Sequence, residues 1–195
     1  MTMNDKTEST VLGGGCFWCT EAVFEQLHGV ISVMPGYAGG ATDDPIYEEV
    51  GTGQTGHAEV IEIKYDPAEI SFKDLLTVFF ATHDPTTLNR QGADRGTEYR
   101  SIILYSSENQ RSETEAFIAE LNTHLPKERP VVTEVRPLTK FYAAEEYHRQ
   151  FYRNNWPAPY CQFVIDPKLA KLRSEFGALL KSSRTNAQKK IGSAG

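Results

Sequence analysis

Apolar and polar residues alternate from Ala58 to Tyr65, which predicts a strand with Glu59, Ile61, Ile63 and Tyr65 on one face and Ala58, Val60, Glu62 and Lys64 on the other. The first face is the more apolar, so Glu59 points toward the core side. Shorter segments predict further strands at Ser9 to Leu12, Ile31 to Val33, Tyr99 to Tyr105 and Val131 to Val135. Apolar residues three and four apart predict helices. The first runs from Cys16 to Leu27, with Val23, Phe24 and Leu27 on its stripe and Gly29 as its stop. A second carries Leu75, Leu76, Phe79 and Phe80 behind a capping box of Ser71 and Asp74, and a third, opened by Ser107, carries Phe117, Ile118 and Leu121. A fourth spans Ala143 to Tyr152, and a fifth starts at Asp166-Pro167 and carries Leu169, Leu172, Phe176 and Leu179.

Between these elements lie a Gly13-Gly14-Gly15 turn, a Gly/Pro/Asp-rich loop from Pro35 to Gly56 and a polar loop from His83 to Thr97. A loop as long as the second is usually functional or mobile. The core order of strand, helix, strand, strand, helix, strand predicts an α+β fold: a ferredoxin-like two-layer α/β sandwich core (βαββαβ) with appended helices and long functional loops. Residues 1–8 and 182–195 are polar and aperiodic and read as a disordered N-terminus and a flexible C-terminal tail, leaving 9–181 as a single catalytic domain. A length of 195 residues suits one domain and needs no disulfide framework or structural metal to hold a core.

Charge and cysteine content narrow the function. Twenty Lys plus Arg against 26 Asp plus Glu give a net charge of -6, which argues against binding a phosphate backbone, so no nucleic-acid partner is expected. No apolar run is long enough to span a membrane, and the opening MTMNDKTEST lacks the apolar core of a signal peptide, so a cytoplasmic setting is expected. Three cysteines are an odd number and too few for a secreted scaffold; Cys16 and Cys19 stand together behind the three glycines.

A thiol at a glycine turn immediately before a helix lies among unsatisfied N–H groups at the positive end of the helix dipole, which lowers its pKa and makes Cys16 a candidate nucleophile. The bland alternative is a buried core cysteine. With Cys19 it forms a C-x-x-C, the spacing of a redox pair or of half a zinc site; no second C-x-x-C or histidine pair completes the zinc reading, so no metal is expected. The pairs Glu25 with His28 and Glu145 with His148 match the spacing of di-iron sites but occur outside a four-helix bundle, and ordinary exposed helix faces account for them. Gly51 to Gly56 spells G-x-G-x-x-G without the strand before it and the helix after it, and reads as a flexible turn. Glu59 is either solvated at the start of its strand or buried, in which case desolvation raises its pKa and suits it to donate a proton near neutral pH. Phe17 and Trp18 are core residues or the apolar wall of a pocket beside the nucleophile.

Several blocks in order carry a family resemblance: Gly14-Gly15-Cys16-Phe17-Trp18, Gly36-Tyr37-Ala38-Gly39-Gly40, Pro45 to Val50, Thr55-Gly56-His57-Ala58-Glu59, His83-Asp84-Pro85 and Arg90 to Ser101. Together they resemble the peptide methionine sulfoxide reductase A family over about residues 9 to 168. The resemblance implies reduction of the S epimer of methionine sulfoxide, free or in proteins, to methionine. It implies Cys16 as nucleophile, Glu59 as proton donor to the sulfoxide oxygen, Tyr47 and Tyr99 as hydrogen bonders to that oxygen, Asp94 as a residue fixing the substrate and its surroundings, and Phe17 and Trp18 as holders of the methyl group. It also implies a Cys16 sulfenic acid resolved by a second thiol, with thioredoxin, or dithiothreitol in vitro, as the reductant and no bound cofactor. The family's resolving cysteine matches Cys161 by position. Cys19, where the family most often has Gly, is the alternative by proximity. Two rival functions remain: a general thiol-disulfide oxidoreductase using Cys16 and Cys19 alone, to which Glu59 would be dispensable, and a non-catalytic module binding metal or a partner through the cysteine-rich turn, which needs no acid.

Overall fold

The structure, a computed structural model, describes residues 7–181. Of the two expected tails, 1–6 and 182–195 lie outside the described residues. Eight strands and six helices are named here: β1 (Glu8–Gly14), α1 (Phe17–Phe24), β2 (Val30–Ala38), α2 (Tyr47–Val50), β3 (Ala58–Tyr65), α3 (Phe72–Thr82), β4 (Arg90–Gln91), β5 (Asp94–Arg95), β6 (Ser101–Tyr105), α4 (Glu108–His124), β7 (Glu134–Pro137), β8 (Phe141–Ala143), α5 (Phe151–Asn155) and α6 (Asp166–Glu175). Six strands form one mixed sheet in the order β7-β6-β1-β3-β2-β8, antiparallel except for β6 with β7, while β4 and β5 pair separately.

The larger core lies between one sheet face, bearing Leu12, Ile61, Ile63, Tyr65 and Ile103, and helices α1, α3 and α6, with Phe117, Ile118 and Leu121 of α4 at its margin. A smaller cluster of Val11, Ala38, Ala58, Val60, Ile102 and Leu104 occupies the opposite face under Leu138 and Phe141. The fold is therefore mixed α/β, with its main helices against one face of the sheet.

The alternation of β3 matches the sequence reading in bounds and facing: Glu59, Ile61, Ile63 and Tyr65 are all buried, whereas on the other face Glu62 is partly covered and Lys64 is exposed. The capping box of α3 also forms: Ser71 Oγ accepts from Asp74 N–H at 3.1 Å, and Asp74 Oδ2 accepts from Ser71 N–H at 3.1 Å. Elsewhere tertiary pairing overrides local propensity. β1 continues through Gly13 and Gly14, which pair with Ile102 and Ser101, so only Gly15 of the triplet turns. β2 continues through Pro35 and Gly36 to Ala38, shortening the expected loop. The expected helix over Ala143 to Tyr152 is instead the end of β8, a 3₁₀ turn at Glu146–His148 and the short α5.

Candidate active site

Close backbone packing builds the floor of the site. A Cβ on Gly13 would lie 2.8 Å from Ile102 Cγ2 and 2.9 Å from the Glu59 carbonyl oxygen, and one on Gly15 would lie 2.7 Å from Gln91 Cβ. Gly15 has φ +96°, a conformation open to glycine and strained for other residues. It delivers Cys16 to the N-cap of α1. From the neighbouring strand Glu59 reaches the same helix end, where its Oε2 accepts the Phe17 N–H at 3.0 Å. At 3% exposure Glu59 is buried, not solvated. Burial pushes its carboxyl up to about 8 against the pull of the Phe17 N–H, with the Asp94 and Glu98 charges adding to the rise.

The thiols depart from the helix-dipole expectation. Burial pushes Cys16 well above its usual range, and the Cys19 thiol and the Glu59 charge push it further. A hydrogen bond from Cys16 draws Cys19 down to about 7. At Cys16 burial outweighs the dipole of an eight-residue helix. The Tyr160 hydroxyl lies 3.6 Å from Cys19 Sγ and donates to Asp94 Oδ2 at 3.2 Å. Cys16, Cys19, Asp94 and Tyr160 line one cleft of about 720 Å³ together with Phe163, Val164 and Lys168.

Tyr47 opens α2, and Tyr99 closes the 3₁₀ turn Thr97–Tyr99 before β6. Burial raises both phenols, Tyr47 to about 12, and the charges of Glu59 and Cys16 contribute to each shift. Phe17 is fully buried, its ring 5.9 Å from Tyr37 and 6.5 Å from Tyr47. Trp18 is half-buried and stacks on Phe151, with centroids 3.6 Å apart and planes 5° from parallel. Cys16, Phe17, Trp18, Glu59, Tyr47, Tyr99 and Asp94 thus converge on the N-terminal end of α1.

Glu145 and His148 correct the sequence reading. They do not sit on an exposed helix face: His148 is 1% exposed, and its Nδ1 accepts the Trp18 indole N–H at 3.1 Å. Its ring lies 4.5 Å from Tyr47 and 5.0 Å from Phe17. Glu145 accepts the Tyr37 hydroxyl at 2.8 Å and the Tyr47 N–H at 2.9 Å. The i, i+3 spacing was visible, but its meaning depends on partners 98 to 130 residues away in sequence. The other pair departs from an exposed helix face too: Glu25 and His28 follow the end of α1, His28 is exposed beside Glu69, and Glu25 is partly buried and pairs with Arg153 at 3.7 Å.

Cys161 begins a π-helical turn, Cys161–Ile165, that runs directly into α6. It is fully buried in the same core cluster as Cys16 and Cys19, and burial, then the charges of Asp166 and Cys19, raise its pKa. All three cysteines are free thiols. Among the described residues, no group of three or more His, Cys, Asp or Glu is arranged to hold a metal ion, and no helix is long and apolar enough to cross a membrane.

The family model described as peptide methionine sulfoxide reductase matches residues 8–179. Peptide methionine sulfoxide reductase MsrA of Chromobacterium violaceum is 53% identical over 175 residues, covering 90% of this chain and 99% of that protein. MsrA of Sulfolobus acidocaldarius is 54% identical over 169 residues, covering 87% and 95%. Among solved structures, Mxr1 from Saccharomyces cerevisiae in reduced form is similar with a TM-score of 0.73 and 32% identity, covering 83% of this chain and 92% of that one. Mxr1 has also been solved in complex with Trx2, and that chain shares the fold at a TM-score of 0.51 and 22% identity, covering 77% of this chain and 88% of that one.

Proposed function

The chain belongs to the peptide methionine sulfoxide reductase family, and from that premise we propose how its own residues carry the reaction. It is an enzyme that reduces methionine sulfoxide to methionine. The observation that carries the assignment of roles is the shared helix end, with the Cys16 thiol at the N-cap and the buried Glu59 carboxyl on the adjoining N–H.

A sulfoxide oxygen leaves poorly until it is protonated. With its pKa near 8, Glu59 is mostly protonated at neutral pH and donates that proton as the Cys16 sulfur attacks the substrate sulfur. The S–O bond breaks, methionine departs, the oxygen remains on Cys16 as sulfenic acid, and the proton given up by the thiol restores Glu59. Tyr47 and Tyr99 stay protonated and hydrogen-bond the oxygen. Asp94 steadies the substrate side through Tyr160, and Phe17 and Trp18 hold the methyl group, which selects the S epimer.

A second thiol then attacks the sulfenic sulfur, forming a disulfide and releasing water. We assign this step to Cys161. A π-helical turn at a buried cysteine has a weaker hydrogen-bond ladder than an α-helix and is suited to rearrange. Cys19 is the second reading, favoured by its hydrogen bond with Cys16. Thioredoxin, whose dithiol takes up the disulfide, is the proposed partner, as Trx2 is for Mxr1. Electrons and oxygen balance through thiols and water alone, so the cycle needs no bound cofactor.

The finer structural reading belongs to the same proposal. Strands β6-β1-β3-β2 in antiparallel order, with α1 and α3 on one face, support a ferredoxin-like core. We treat 9–181 as one catalytic unit and place it in a cytoplasmic setting, where thioredoxin keeps thiols reduced. The test is an assay of both sulfoxide epimers with thioredoxin or dithiothreitol. Consumption of the S epimer alone is expected; equal consumption of both overturns the epimer assignment.

A further inference from the structure

Among the described residues three glutamates are buried, Glu21, Glu59 and Glu98. Glu59 belongs to the reaction, and Glu98 is one of the charges that raise it. Glu21 lies further along α1, is 1% exposed, and accepts the Gln150 N–H at 2.9 Å. The Phe151 N–H bonds the same carboxyl. Gln150 occupies the left-handed conformation, φ +50° and ψ +37°, which costs a non-glycine residue about 1–3 kcal/mol and persists only where its surroundings hold it. The helix that starts at the next residue has no side-chain cap of its own. Glu21, from a different helix, takes the place of that cap. Immediately downstream, Phe151 stacks on Trp18, and just upstream His148 accepts the Trp18 indole N–H.

We propose that Glu21 is a positioning residue for sulfoxide reduction: as a hydrogen-bond acceptor rather than as a charge, it holds the Gln150–Phe151 backbone so that Phe151 fixes Trp18 in the wall of the methyl pocket. Two observations favour acceptor over charge. Burial pushes the carboxyl up to about 7, against the two N–H bonds, so the site disfavours a charge there. Arg153 on α5 pairs with a different carboxylate, Glu25 Oε2, at 3.7 Å, and its pull on Glu21 ranks below burial and the two N–H bonds.

The inference rests on reading the Cys16 end of α1 as the sulfoxide site, so its test includes a readout without substrate. In the full chain with Trp156→Phe, the remaining tryptophan, Trp18, reports the stack by its fluorescence. Glu21→Gln keeps the reach and loses the charge; Glu21→Asp keeps the charge and loses the reach. Glu21→Gln is expected to keep the wild-type Trp18 signal and kinetics, whereas Glu21→Asp shifts the signal and raises KM about tenfold with kcat little changed. The reverse ranking, equal defects in both variants, or no change in either overturns the inference. Should Glu21→Asp fail to fold, Phe151→Leu carries the same expectation for KM and fluorescence, and wild-type behaviour there overturns it. A shifted Trp18 signal in Glu21→Asp with no sulfoxide reduction in the wild type would instead break the functional reading and leave the clamp standing.

Discussion

Two regions meet at the site and are built on opposite principles. The β1–Gly15–α1 side, with Glu59 on β3, is locked by central strand pairing and by glycines packed too closely to accept a methyl group. The segment from Glu145 to Ile165 has little regular structure: a 3₁₀ turn, a left-handed Gln150, a five-residue helix and a π-helical turn, tied down by side-chain hydrogen bonds to distant residues. On the proposed assignment, that contrast separates the two halves of the cycle. Attack on sulfur and proton donation need fixed geometry, whereas resolving a sulfenic acid requires one sulfur to travel.

The largest expected effect falls on the rigid side. Cys16→Ser should reduce methionine sulfoxide no faster than buffer, and full activity in that variant would sink the scheme. Next, Glu59→Gln should slow methionine release in a single turnover by about 10²–10⁴-fold, and an unchanged rate removes Glu59 from the reaction. In the wild type the same rate should fall as pH rises through about 8, because the protonated carboxyl is the active form; a rate that climbs across that range reverses the assignment.

On the movable side the expected pattern is different. Cys161→Ser should leave the first turnover intact and stop recycling by thioredoxin, with thiol counts after substrate exposure showing no disulfide. If the disulfide persists there and disappears in Cys19→Ser, the nearer thiol is the resolver. A smaller effect separates scaffold from chemistry. Gly15→Ala should cost about 1–3 kcal/mol in denaturant unfolding, because alanine is strained at this φ and its methyl meets Gln91.

A further expectation concerns stability against pH. Glu59 has a native pKa raised from 4.5 to about 8, so the folded state binds the extra proton. Its contribution is full below about 4.5 and is lost as pH rises through about 8. Glu59→Gln should flatten that part of the stability curve; an unaltered slope denies the shifted pKa.

The same contrast explains what was legible beforehand. β3 and the facing of Glu59 were readable because alternation on a central strand is a local signal, as is the Ser71 and Asp74 cap of α3. β1 through Gly13 and Gly14 was not, since glycine propensity points to a turn and only pairing with β6 reveals a strand. Apolar spacing made residues 143 to 152 look helical, and the Glu145 and His148 contacts that decide their conformation are non-local. Cys16 was singled out by its glycines, but the direction of its pKa shift depended on burial and on Glu59, which no spacing discloses.

The most direct measurement uses the Cys19→Ser, Cys161→Ser double variant, which leaves Cys16 as the one thiol in the chain. After mixing with methionine sulfoxide and no reductant, methionine release and the mass of the Cys16 peptide are followed together. Release of methionine equal to the protein present, with one oxygen atom gained at Cys16 and trapped by a sulfenic-acid reagent, is the expected result. Methionine formed while Cys16 remains unmodified, or no methionine at all, would contradict the account.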